Sequence, residues 1–205
     1  MEKQKYLEDL QDIKSIMDRS SRFISLSGMS GIIAGTLALL GAYLAYQTVY
    51  IDQNYLSYRK AILSNENVLT LLGIAATLLV LAFGAGVIFT YRKAKKNNQK
   101  LWDSQARRLV INLMIPLVAG GILCLILLLK GFIGLIAPLT LLFYGLALVN
   151  ASKYTLSEIR GLGILEIILG LVGCQLIGYG LIFWAIGFGV LHIIYGVLMH
   201  VKYGS

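Results

Sequence analysis

The stretch Arg160-Gly-Leu-Gly-Ile-Leu-Glu-Ile-Ile-Leu-Gly170 contains Glu166, the one carboxylate inside the long apolar segments of this chain. Glycines and aliphatic residues surround it on both sides. A carboxylate in hydrocarbon is costly unless it has a partner, a proton or a water-filled cavity. Glycines let neighbouring helices approach closely in a membrane. The stretch therefore predicts a membrane helix with a polar site near its middle.

The rest of the composition agrees with a membrane protein. Of the 205 residues, 58% are hydrophobic and 14% are charged, and the mean hydropathy is +0.76. Soluble domains are about 45–50% apolar and about 25% charged. Six apolar segments come near the ~20 residues that cross a bilayer. They lie at about 25–48, 67–90, 109–129, 132–150, 160–178 and 181–201. The fold class is therefore an all-α polytopic membrane protein.

The connections between these segments predict their pairing. Lys130-Gly131 joins the third span to the fourth, and Gly178-Tyr179-Gly180 joins the fifth to the sixth. Such short connections allow only adjacent antiparallel helices. A longer polar stretch, 51–66, joins the first pair. We expect one domain, 23–203, of six transmembrane helices in three antiparallel hairpins, with kinks at Pro116 and Pro138.

Two polar segments flank the first spans. Residues 1–22 place Tyr6, Leu10, Ile13 and Met17 on one face of an amphipathic helix. This cytoplasmic helix would lie on the membrane surface, pair with another copy, or bind a cytoplasmic protein partner. The basic segment 91–108 would face the cytoplasm too. The terminal pair Gly204-Ser205 is set aside as a cloning scar.

Charge placement predicts the orientation of the chain. Fifteen of the 18 Lys and Arg residues fall on one side of the predicted spans, and only Arg59, Lys60 and Lys130 fall on the other. The positive-inside rule then puts both termini in the cytoplasm. The net charge of +8 lies beside the spans, so it favours anionic lipid headgroups and not nucleic acid. The predicted headgroup contacts are Arg92, Lys93, Lys95, Lys96, Arg107 and Arg108.

Small residues four apart predict close helix packing, and they also permit a homo-oligomer. The pairs are Gly31 and Gly35, Ala82 and Gly86, and Gly170 and Gly178, the last spaced over two such intervals.

If the last two spans form a hairpin about Gly178-Tyr179-Gly180, Glu166 lies at the same depth in the membrane as His192. Arg160 then lies at the same depth as His200. Glu166 and His192 could share one proton or form an ion pair. Three interpretations stay open: a structural hydrogen bond, a proton-coupled or ligand site, and a metal or haem ligand role for the histidines. The third has least support, because one side chain makes a poor metal site. The same reasoning about Lys130-Gly131 levels Asn112 with Asn150.

Motifs for soluble catalysis are missing from the sequence. It contains no Gly-rich phosphate loop, no H-E-x-x-H and no G-x-S-x-G. Cys124 and Cys174 lie inside spans without metal-ligand spacing. We therefore expect no catalytic residue, metal or cofactor. The first hypothesis is a non-enzymatic structural, stress-related or regulatory membrane protein. The alternatives are a small proton-linked transporter or channel that uses Glu166 and His192, and a membrane-embedded enzyme.

The Arg160–Gly170 run opens a glycine-rich hairpin and resembles the repeats of HdeD-like acid-resistance membrane proteins. The wider pattern runs from Ser21-Arg-Phe-Ile-Ser-Leu-Ser-Gly28 through Asn150-Ala-Ser-Lys-Tyr-Thr155. It is similar to uncharacterised bacterial six-span integral membrane proteins. This second resemblance implies the fold and no function.

Overall fold

The computed structural model describes residues 27–49, 65–96 and 102–203, and every regular element in these ranges is helical. The N-terminal 1–22 segment and most of the 51–66 connection lie outside the described residues, so both expectations stay predictions. The α-helices are α1 (Gly28–Val49), α2 (Asn65–Lys96), α3 (Ser104–Leu129), α4 (Ile136–Ala151), α5 (Glu158–Gln175), α6 (Gly180–Trp184) and α7 (His192–Tyr203).

Three shorter elements complete the helical path. Single 3-10 turns, Ile133–Leu135 and Ser152–Tyr154, lie on either side of α4. A π-helical segment, Ala185–Leu191, joins α6 to α7 without a break. Together these last three elements form one terminal helix, Gly180–Tyr203.

Five helices among the described residues are long and apolar enough to cross a membrane. They correspond to α1, α2, α3, α4 with its 3-10 turns, and the terminal helix. The helix α5 is not among them. Its 18 residues rise about 27 Å, but it carries three charged residues, Glu158, Arg160 and Glu166. The all-helical class is confirmed, with five helices able to cross a membrane, and a sixth span at α5 stays a prediction.

Helix α5 ends earlier than the sequence predicts. It stops at Gln175, and Gly178 has a φ of 112°. That conformation is open to glycine and rarely to other residues. The prediction that Gly178 packs helices is therefore wrong: it shapes the turn between α5 and α6.

Glycines of α1 lie directly against the terminal helix. A Cβ on Gly31 would approach the backbone of His192 and Gly196, and one on Gly35 would collide with the Gly189 carbonyl. The helices run antiparallel, because rising numbers in α1 meet falling numbers in the terminal helix. The packing predicted for Gly31 and Gly35 is thus present, with the last span as partner.

A second tight contact joins α4 to α5. A Cβ on Gly170 would meet the backbone of Pro138 and Leu142, and the Pro138 ring also lies against Gly173 and Gly180. Pro138 is fully buried in the first turn of α4. There a missing N–H leaves no intrahelical hydrogen bond unmade. The ring therefore acts as a packing surface, and the predicted kink in mid-span is wrong for Pro138. Pro116 does lie inside α3.

Helix α3 packs against α4, and one hydrogen bond shows which residues of the two helices lie at the same height. The Asn150 side-chain amide donates to the Asn112 carbonyl at 2.9 Å. The levelling of these two residues about Lys130-Gly131 is thus confirmed. Gly120 lies against the Phe143 ring further along the same pair.

Helix α2 stands at the edge of the fold, where it packs against α1. Its apolar side chains are widely exposed, for example Phe83 at 70%. No described residue lies within 4 Å of a Cβ placed on Gly86. The packing predicted for Gly86 is therefore absent among the described residues. Ala82, four residues earlier, is half-buried. Such an apolar surface suits contact with lipid.

The basic residues divide into exposed and buried ones. Arg92, Lys95, Lys96, Arg107 and Arg108 are exposed, and the Arg92 guanidinium lies 5.8 Å from the Phe89 ring centroid. Lys93 is only 7% exposed. The prediction that Lys93 contacts lipid headgroups is therefore wrong, since its side chain is enclosed by protein.

Candidate functional site

Three helices bring their polar side chains to one point inside the bundle. Glu166 comes from the middle of α5, His192 is the first residue of α7, and Tyr144 comes from α4. The Tyr144 hydroxyl lies 2.9 Å from His192 Nε2. Glu166 Oε1 lies 3.4 Å from His192 Nδ1. The structure thus brings together the two residues that the sequence levels, and adds a third.

The π-helical segment places a backbone carbonyl at the same point. His192 Nδ1 lies 3.0 Å from the Gly187 carbonyl oxygen, five residues back along the chain. Gly187 and Gly189 give this wide turn its close contacts: a Cβ on Gly187 would collide with Glu166 and Leu141, and one on Gly189 with Leu39. Single π-helical turns are rare and are often found at functional sites.

The imidazole hydrogen bonds assign its tautomer. A carbonyl oxygen can only accept, so the hydrogen must be on His192 Nδ1, which donates to Gly187. In the neutral ring Nε2 then accepts from the Tyr144 hydroxyl. If the ring gains a proton, Nε2 donates and the hydroxyl oxygen accepts. Both ring nitrogens are therefore satisfied in either protonation state.

Glu166 differs sharply from its neighbours. Its side chain is 0% exposed. Neither carboxyl oxygen has a hydrogen-bond partner among the described residues. The 3.4 Å approach to His192 is an electrostatic contact outside hydrogen-bonding geometry. A buried polar atom without a partner costs free energy, typically about 1–3 kcal/mol and more for a charged group. The carboxyl group is held beside a titratable imidazole without being satisfied by it.

Aromatic rings cover one side of the cluster. The Phe188 ring lies 4.9 Å from Tyr144 and 5.8 Å from His192, centroid to centroid. Trp184 follows one helical turn earlier, 5.0 Å from Phe188. These contacts hold the imidazole plane in place and keep the polar atoms away from hydrocarbon. Trp184, Phe188 and His192, spaced four residues apart, form the face of the terminal helix that reaches the site.

The second predicted pair lies at the end of the bundle. Arg160 is exposed and His200 is half-buried, and their pairing stays a prediction. The ion pair observed nearby joins Glu158 to Lys202, with an Nζ–Oε1 distance of 2.5 Å. Tyr203 also donates to Glu158, at 2.8 Å. Glu158 precedes the apolar part of α5. Burial raises the pKa of its carboxyl group, but the hydrogen bonds from Lys202 and Tyr203 outweigh that effect and bring the pKa to about 2.

Sequence reasoning missed Tyr144 and Gly187. Levelling residues about a short turn compares only helices that follow each other in the chain, and Tyr144 lies on α4, outside the last hairpin. Its signal was weak: a tyrosine in the middle of a span, where the aromatic belt rule does not place one. Glu158 and Lys202 were within reach, because the turn that levels Glu166 with His192 levels them also.

The described part of the chain contains no group of three or more His, Cys, Asp or Glu residues able to hold a metal ion. Cys124 is buried and Cys174 half-buried, both as free thiols.

Comparisons with known proteins assign no family to this arrangement. No family model matches the sequence. No curated protein and no solved structure matches the chain significantly.

Proposed function

We propose that this chain is an integral protein of a bacterial inner membrane that moves protons, alone or with a substrate, through the cluster of Tyr144, Glu166 and His192. One observation carries the proposal: the fully buried carboxyl group of Glu166 has no hydrogen-bond partner in the part of the chain that the structure describes, but lies 3.4 Å from an imidazole. In this proposal α5 is the sixth span and both termini are cytoplasmic.

A purely structural pair would have different geometry. Polar side chains that hold membrane helices together form hydrogen bonds, and those bonds are worth only about 0.6 kcal/mol on average. Glu166 makes none. The terminal helix is already held by the glycine contacts of α1, and α5 by those of α4. The unsatisfied carboxyl group therefore adds little to packing, which supports a role in proton exchange.

The cluster can hold one shared proton in two arrangements. With the proton on Glu166, the acid and the imidazole are both neutral. With the proton on His192, a carboxylate faces an imidazolium whose Nε2 donates to Tyr144. Opposite charges at this distance stabilise each other strongly in a medium of low dielectric constant. Loss of the proton leaves an unpaired carboxylate, and a substrate cation or a second proton would restore neutrality.

A structural or regulatory role is the second candidate. The observation in its favour is the exposed set Lys95 and Lys96 at the end of α2 and Arg107 and Arg108 at the start of α3. This basic surface suits anionic lipid or an acidic cytoplasmic partner. Enzymatic activity has no such support, and we propose a non-enzymatic protein.

Proton flux into liposomes tests the proposal. Purified protein is reconstituted into vesicles that contain a pH-sensitive dye. A pH gradient is imposed across the membrane, and a potassium diffusion potential sets the membrane potential. We expect flux above that of empty vesicles, and a loss of at least tenfold in Glu166→Gln and His192→Ala. Glu158→Gln, which changes a carboxylate outside the cluster, serves as the matched control and should keep the flux. Equal flux in wild type, Glu166→Gln and empty vesicles would contradict the proposal.

Cysteine accessibility tests the sixth span. In a background with Cys124 and Cys174 changed to alanine, Ser157→Cys and Tyr179→Cys place one thiol at each end of α5. Both native residues are exposed. A membrane-impermeant maleimide should label the Tyr179→Cys thiol in intact cells and the Ser157→Cys thiol only after lysis. Labelling of both from the same side would refute α5 as a span.

A further inference from the structure

A half-open apolar groove lies at the end of the bundle where α5 turns into α6. Its volume is about 270 Å³, close to the lower end of the ~300–1,000 Å³ that ligand pockets occupy. The walls come from α1, α2, the end of α3, the start of α4, and α6. We propose that this groove binds one hydrocarbon chain of a membrane lipid.

The wall chemistry selects a hydrocarbon over a polar ligand. Among the residues that the structure describes, Thr140 and Trp184 are the only ones lining the groove whose side chains carry a polar atom. The Thr140 hydroxyl already donates to the Ala137 carbonyl at 2.7 Å. None of the described lining residues is charged. A sugar, amino acid or ion would lose its hydration without replacement hydrogen bonds, which is unfavourable. An acyl chain has no hydrogen bonds to lose by entering.

The length of the groove matches one leaflet. The α2 wall extends from Val68 to Leu78, a rise of about 15 Å at 1.5 Å per residue. This is half of the ~30 Å hydrocarbon core of a bilayer. One acyl chain has the same reach, from the headgroup region to the midplane. Small residues on the facing wall, Gly41 and Ala45 of α1, leave room for its width.

The groove opens beside helices whose outer surface is apolar along their length. The neighbouring α2 exposes leucine and phenylalanine to its surroundings, including Leu79 and Phe83. In a bilayer the molecules at this opening are lipids, present at far higher concentration than any soluble ligand. A lipid chain can slide in sideways without leaving the hydrocarbon region. Lipid is thus the occupant that needs the fewest additional assumptions.

Trp184 connects the groove to the rest of the molecule. Its ring lines the groove and also lies 5.0 Å from Phe188, which packs against Tyr144. A lipid chain in the groove therefore contacts Trp184, the first of the rings that lead through Phe188 to His192. Trp184 is also one of only two tryptophans, the other being Trp102. With Trp102→Phe, fluorescence reports on Trp184 alone.

Two adjacent alanines of α2 give a matched pair of variants. Ala75 lines the groove and Ala76 does not, and both side chains are exposed. Ala75→Phe would fill the groove from α2, whereas Ala76→Phe adds the same ring elsewhere on α2. Phenylalanine contributes little fluorescence, so neither change interferes with the signal of Trp184.

The test measures contact between Trp184 and a lipid chain. Protein carrying Trp102→Phe is placed in nanodiscs of phosphatidylcholine with or without bromine atoms in mid-chain, which quench tryptophan on contact. We expect strong quenching, retained with Ala76→Phe and reduced at least twofold with Ala75→Phe. Absence of quenching, or equal quenching in both variants, would overturn the proposal. Native mass spectrometry of the detergent-solubilised protein supplies a second measurement.

The mass spectrum should show one lipid per chain in the wild type and in Ala76→Phe, and none in Ala75→Phe. A lipid-free dimer that Ala75→Phe dissociates would instead assign the groove to a second copy and overturn the lipid proposal. Both measurements are independent of proton flux, so the groove proposal and the proposed function can fail separately.

Discussion

Glu166 lies against Gly187 so closely that a methyl group on the glycine would collide with the carboxyl oxygen Oε2. The two residues belong to different helices, α5 and the π-helical segment. The carbonyl of the same glycine accepts from His192 Nδ1. Gly187 therefore determines both how near the carboxyl group comes and how the imidazole is oriented.

This contact predicts a measurable coupling between the two residues. Gly187→Ala should lower the free energy of unfolding by about 1–3 kcal/mol, the usual range for overpacking. Glu166→Ala alone leaves a cavity. The free energy of unfolding of the double variant should exceed the value expected from adding the two single effects. The excess should be at least about 0.5 kcal/mol, the lower end of the coupling energies found between residues in contact. Thermal unfolding in detergent measures all four proteins, and strict additivity would argue against direct contact.

Tyr144→Phe should change the imidazole and spare the packing. The ring contact with Phe188 remains, but Nε2 loses its donor. A single such hydrogen bond contributes about 0.5–1.5 kcal/mol. In a His200→Gln background, the ¹⁵N spectrum reports His192 alone. We expect the Nδ1–H tautomer in both proteins, because the Gly187 carbonyl still accepts from Nδ1. The ¹⁵N shift of Nε2 should change after Tyr144→Phe, because this nitrogen loses its donor. An unchanged Nε2 shift would show that Tyr144 does not donate to the imidazole.

Glycines in α1 and α2 should respond oppositely to the same substitution. Gly35→Ala would push a methyl group into the Gly189 carbonyl and Ile193, so we expect a loss of about 1–3 kcal/mol. Gly86→Ala meets open space. It should be neutral or stabilise the helix by up to about 1 kcal/mol, because alanine favours helices over glycine. Midpoints of thermal unfolding give the comparison. A large loss in Gly86→Ala would show that a partner covers α2.

Acid should weaken the end of the bundle where Glu158 meets Lys202. The folded pKa of Glu158, about 2, lies below its ordinary value of 4.5. The contact therefore stabilises the fold fully above pH 4.5, and the contribution is lost as the pH falls towards 2. The effect is small, since Lys202 is largely exposed and screened by solvent. Unfolding midpoints between pH 6 and pH 3 should fall less in Glu158→Gln than in wild type. Parallel decreases would mean that the pair contributes nothing.

The sequence was sufficient for some features because they depend on local patterns. Short turns fix which helices run antiparallel, so Glu166 meets His192 and Asn150 meets Asn112 without knowledge of the whole bundle. The apolar length of a segment likewise predicts a helix such as α3 closely. These predictions needed only the rise of a helix and the shortness of a loop.

Other features depended on contacts between distant parts of the chain. Nothing local to Gly35 says that its partner is the last helix and not the second. A basic segment predicts that Lys93 contacts lipid headgroups, and only the tertiary fold buries its side chain. Tyr144 reaches the site because α4 packs beside both α5 and the terminal helix. Residues 185–191 contain no sequence pattern that distinguishes a π-helix from an α-helix.

The π-helical turn has a consequence for how the terminal helix can vary. Successive residues of an α-helix are about 100° apart around its axis. Removing one residue between Ala185 and Leu191 would rotate α7 about the helix axis by about that angle relative to α6. Trp184 would still face the groove, but His192 would leave Glu166, and Gly196 would leave α1. The additional residue in this π-helical turn lets the α6 half of the terminal helix face the groove while the α7 half faces Glu166 and α1.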